Sequence, residues 1–165
     1  MDFIQHTVNW CKGEIFEGKM SLLFGAILLV ISLVYWKLGS TPYAKAMFLP
    51  LLTVALLAIG AGIYLISANR ARIPVYTEAC NTDPERFIQH EKERTEAFIK
   101  WYPRSQYIFL GVLIVGAMAM ILSHGAMVRA VGIGLMILSL YVFVLDHFSE
   151  ERAAVYHGHI VRALK

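Results

Sequence analysis

The sequence predicts an all-α membrane protein: four transmembrane helices forming two helical hairpins, with amphipathic helices on the cytoplasmic side. Three observations predict this class. Four apolar runs are each close to the roughly 20 residues that cross a bilayer core. Arg129 is the only formal charge inside their apolar interiors, near one end, where it can snorkel to the interface. The composition is 58% hydrophobic and only 16% charged, and the runs lack the polar stripes of a soluble bundle. The 165 residues suffice for one polytopic membrane domain, residues 1–165.

Residues 1–18 are expected to form a cytoplasmic helix. Phe3, Ile4, Val8, Cys11, Ile15 and Phe16 recur at loosely helical spacing, with Trp10 at headgroup depth. Asp2, Lys12, Glu14, Glu17 and Lys19 make this segment too charged for a cleavable signal. The first span is then residues 20–37 and the second residues 45–68, with Pro50 near the outer end of the second. Residues 83–102 are predicted as a second cytoplasmic helix. Thr82-Asp83-Pro84-Glu85 reads as a capping box, and Pro103 disfavours helical geometry at Tyr102. Phe87, Ile88, Phe98, Ile99 and Tyr102 give this helix an apolar face for the bilayer or the bundle. The third span is residues 105–123. The fourth is residues 126–146, extended as a helix to about residue 157, where Gly158 is the expected stop. The brief turn at His124-Gly125 makes the last two spans antiparallel neighbours.

Charge sets the expected orientation. Lys37, Lys45 and Arg129 are the only basic residues at one end of the spans, and all twelve acidic residues belong to the other end. The positive-inside rule then puts both termini and the middle segment in the cytoplasm, most simply of a bacterial inner membrane. The net charge of +3 is an orientation signal and gives no reason to invoke nucleic acid. Cys11 and Cys80 fall on the reducing side, and no CxxC pair suggests a thiol oxidoreductase.

The tetrapeptide FIQH occurs at residues 3–6 and again at 87–90, each time ahead of a pair of spans. FGAILLV after the first copy resembles LGVLIVG after the second, and Gly60–Gly62 resembles Gly132–Gly134. This predicts an internal duplication with both halves in the same orientation. Ala58 with Gly62, and Ala126, Ala130 and Gly134, form small-residue ridges of the kind that let membrane helices approach closely.

The span interiors hold hydroxyls but no acidic or basic group at mid-depth, which disfavours ion-coupled transport. Their hydroxyls are expected to bond the preceding turn of their own helix. Phosphate-binding loops, nucleophile elbows and haem attachment motifs are absent. The leading expectation is a protein without catalysis. It acts through protein–protein contacts of its cytoplasmic helical layer, as an accessory, scaffold or immunity-type protein. Its partners are the bilayer and either a second copy or another protein. Glu91, Arg94, Phe98 and the ridge residues Ala58, Gly62, Ala130 and Gly134 are the candidate contact positions. Glu91 and Arg94 are spaced for an i, i+3 ion pair. No cofactor is predicted. The alternative is a metal enzyme or a metal or pH sensor. It would use His147, Glu150, Glu151 and His157 with His90, Glu14 and Glu17, whose helical spacings suit iron or zinc in a di-metal centre.

Overall fold

The structure, a computed structural model, describes residues 3–165. The described chain is all-helical: α1 (Phe3–Leu38), α2 (Pro42–Ala46), α3 (Phe48–Thr82), α4 (Pro84–Ile99), α5 (Tyr102–Leu122) and α6 (Ala126–Ala163). Four of its helical stretches are long and apolar enough to cross a membrane, carried by α1, α3, α5 and α6. Leu23, Ile27, Val30, Ile63, Ile114, Val115 and Ile121 all lie exposed on these stretches. Water would penalise that surface heavily, whereas lipid matches it.

The helices run further than local signals suggest. Residues 1–18 and the first span were expected as separate elements, but α1 is one continuous helix from Phe3. Nothing between them breaks it: Gly13 and Gly18 remain helical and no proline intervenes. Likewise α3 continues well past residue 68, through Pro74, to Thr82. The start of α4 is capped one residue later than the expected box. Asp83 is the N-cap of α4 and accepts from Arg86 N at 3.1 Å, whereas Thr82 bonds back to the Glu78 carbonyl at 2.9 Å. Gly158 does not stop α6, which reaches Ala163. Tyr156 and Ile160 on either side of it are buried, and their packing outweighs the roughly 1 kcal/mol that glycine costs inside a helix. The α4–α5 junction falls at Lys100–Trp101. There Trp101 N bonds Phe98 O at 2.9 Å, and Pro103, in the first turn of α5, has no N–H for Ile99.

α1 packs along α3, α5 packs on α6, and α6 also touches α1, α3 and α4. Glycines set the closest approaches. A Cβ on Gly62 would lie 2.6 Å from the Gly18 carbonyl oxygen, and one on Gly25 would lie 2.9 Å from that of Ala55. On the other pair, a Cβ on Gly132 would lie 2.5 Å from the Gly116 carbonyl oxygen, and Gly134 sits against Pro50 of α3. Such contacts replace a hydrophobic drive that lipid does not supply. Ser139 and Thr53 bond their own helices at Leu135 and Leu49, as expected of span hydroxyls. Ser21 and Ser32 differ. Ser21 donates to Ala58 O at 2.7 Å and meets the Tyr141 hydroxyl, and Ser32 donates to Phe48 O at 2.8 Å. Each crosses to a neighbouring element because the close helix contact brings a foreign acceptor nearer than solvent could.

Candidate functional site

At one end of the bundle the extensions of α1, α3 and α6 meet α4, and nearly all the ionisable side chains gather there. α4 turns Phe87, Ile88, Glu91 and Thr95 inward. This spacing follows the helical period, so a carboxylate is carried into the interior on the same stripe as two apolar anchors. Glu91 is fully buried. Arg94 grips it with two parallel hydrogen bonds, Nε to Oε1 at 2.8 Å and Nη2 to Oε2 at 2.6 Å. The expected i, i+3 pair therefore forms, inside the protein instead of on its surface. Tyr156 of α6 donates its hydroxyl to Glu91 Oε2 at 2.8 Å, and Thr7 of α1 lies 2.9 Å from the same hydroxyl oxygen. With the phenolic proton committed to Glu91, Thr7 is the donor in that contact. A single chain of bonds thus ties α1, α6 and α4.

Aromatic rings enclose the guanidinium. Arg94 lies 4.6 Å from the Trp10 ring centroid, 5.3 Å from that of Phe98 and 5.5 Å from that of Tyr76. Trp10 stacks on Tyr156 and Phe98 with centroids 5.7 and 5.9 Å apart. Trp10 is buried in this box, because α4 and α6 both fold over it. Burial, and then the charge of Glu91, push the Tyr156 phenol well up. Burial pushes the Cys11 thiol up to about 11. Both stay protonated at neutral pH, so neither is a poised nucleophile or base.

A second network joins α1, α5 and α6. Arg152 crosses Gly13, where a Cβ would come within 2.6 Å of its Cδ. Its Nη2 reaches Glu17 Oε1 at 2.5 Å and Glu14 Oε1 at 3.1 Å, and Ser149 donates to Glu17 Oε2 at 2.8 Å. Burial, and then the nearby Glu17 charge, raise the Glu14 carboxyl. Gln106 donates to Glu150 at 3.0 Å. Beyond these networks, the His6 and His159 rings stack with centroids 3.6 Å apart, and burial followed by the His159 charge lowers His6.

Apart from Glu14 and Glu17, which meet at Arg152, the metal-candidate residues go to separate places. Glu14 and Glu17 go to Arg152, Glu150 to Gln106, and His157 to Glu96 at 3.5 Å. His90 is exposed beside Glu91, and His147 and Glu151 are exposed on α6. Among the described residues no three His, Cys, Asp or Glu form a group able to hold a metal ion. At Glu14 and Glu17 the Arg152 guanidinium already supplies the positive charge that faces both carboxylates. The contact candidates are also placed. Ala58 and Ala130 are buried within the chain, Gly62 and Gly134 face Gly18 and Pro50, and Phe98 lies against Trp10. Reasoning from sequence missed Thr7, Tyr156 and Arg152. Ser149, Arg152, Ala153, Tyr156 and Ile160 do recur at helical spacing on α6, the signal that could have found them. Compared with known families, characterised proteins and solved structures, the chain matches none.

Proposed function

We propose that this is an integral membrane protein without catalysis, whose charged helical layer is a rigid docking platform for another protein. The observation that carries this reading is the fate of α4. Its inner face is spent on Glu91, Thr95, Phe87 and Ile88, while Glu85, Arg86, Gln89, His90, Glu93 and Lys100 face outward in mixed charge. The buried pairs hold that outer face in one orientation, and preorganisation of this kind lowers the entropic cost of binding. By the positive-inside rule the layer is cytoplasmic, with both ends of the chain on that side of a bacterial inner membrane. The partner is then a cytoplasmic protein, or the cytoplasmic part of a larger membrane machine, with complementary charge. An accessory, scaffold or immunity role fits. An internal duplication remains part of this reading. Supporting it, Phe3 and Phe87, which open the two FIQH copies, pack edge to face with centroids 6.2 Å apart. Because Ala58, Gly62, Ala130 and Gly134 are buried within the chain, self-association would use other surfaces.

A photocrosslinking residue at Glu93 or Ala97 tests the reading in cells. The expected product is one discrete covalent complex, weakened by Lys100→Glu while membrane insertion is unchanged. Labelling no stronger than from the lipid-facing Ile114 would sink it.

A further inference from the structure

The end of the molecule opposite the charged layer carries Lys37, Lys45 and Arg129 and no carboxylate. No Asp or Glu occurs between residues 18 and 77 or between 97 and 145. At this end a cleft of about 530 Å³ opens between α1, α2, the start of α3 and α6. Leu28, Ile31, Ile133 and Ile137 line its depth, and Tyr43 and Arg129 line its mouth. Arg129 is held in place there. Its Nε donates to the Ser123 carbonyl at 2.6 Å, and its guanidinium carbon lies 5.8 Å from the Tyr43 ring centroid. Tyr43 is itself tied down, donating its hydroxyl to the His124 carbonyl at 3.2 Å. Neither contact neutralises the charge.

The dimensions and the charge point to one occupant. From Arg129 to Ile137, α6 rises about 12 Å at 1.5 Å per residue. One leaflet of a bilayer core of roughly 30 Å is about 15 Å deep. An acyl chain lying along Ile133 and Ile137 would therefore bring its headgroup to the guanidinium. A planar guanidinium with free N–H donors suits a phosphate. A second copy in the same orientation offers no carboxylate at this depth, so it would leave Arg129 unpaired. We propose that this cleft binds one anionic glycerophospholipid, with its phosphate on Arg129 and one acyl chain in the apolar groove.

Native mass spectrometry of the full chain tests this, using phosphatidylglycerol and phosphatidylcholine with identical acyl chains. The expected result is a one-to-one adduct that favours phosphatidylglycerol. That preference falls about tenfold in Arg129→Gln, the scale of one charged hydrogen-bonded contact, and survives in Lys37→Gln. Ile133→Trp, which fills the groove, loses adducts of both lipids. Equal retention of the two lipids by the unaltered protein overturns the proposal without any variant. So does an equal loss in Lys37→Gln, an undiminished adduct in Ile133→Trp, or a dimer in place of the lipid adduct.

Discussion

Arg152 serves two carboxylates with one positive charge, and the imbalance settles on Glu14. Its carboxyl is held above the ordinary 4.5 by burial and then by Glu17. Between those two values the folded protein keeps a proton that the unfolded chain has released. The stability this group contributes is therefore complete below about pH 4.5 and is lost as pH rises through the raised value. Glu14→Gln removes that loss. Thermal unfolding should show the variant more stable than the parent near neutral pH, with the gain vanishing below about pH 4.5. Glu17→Gln should do the opposite near neutrality, since Glu17 makes the shorter contact to Arg152 and accepts from Ser149. A Glu14 variant that loses stability at neutral pH would show that the guanidinium fully compensates both carboxylates.

At the scale of elements, glycines divide into two kinds. A Cβ at Gly158 would meet nothing within 4 Å, whereas one at Gly62 would lie 2.6 Å from the Gly18 carbonyl oxygen. Both sit inside helices. Gly158→Ala should therefore raise stability by about 0.5–1 kcal/mol, by restricting the unfolded chain and improving helix propensity. Gly62→Ala should lower it, because two backbones must part. Chemical denaturation in detergent reads both. The same contrast explains what the sequence made legible. The four spans were readable because twenty apolar residues without charge leave few alternatives. Helix ends were less readable, since Pro74 and Gly158 are local stop signals that burial of Cys80, Tyr156 and Ile160 overrides. In the site, the Glu91–Arg94 pair followed from spacing alone. Its burial did not, because that depends on α1 and α6 closing over α4, a long-range event with no local mark. The pairing of the metal candidates Glu14 and Glu17 with Arg152 was not legible either, because Arg152 lies far along the chain from both.

Across the whole molecule, Glu91 is the point where three separately anchored helices are joined. Removing one member of a buried, paired set typically costs about 3–5 kcal/mol, since the partner charge stays behind. Glu91→Ala should release α4 while the spans keep their own contacts. Limited proteolysis would then cut near Asp83 and Lys100, with helical content by circular dichroism little changed. Resistance to protease in that variant would mean the aromatic box alone holds the end together. The route by which such disturbance travels is set by α6. It is one unbroken helix of 38 residues, about 57 Å long at 1.5 Å per residue. It runs from Arg129 at the lipid-binding end to Tyr156 beneath α4, without a proline or a left-handed residue to act as a joint. It is therefore a lever: any tilt imposed at its apolar end moves the buried phenol at the other, and with it the outward face that a partner would read.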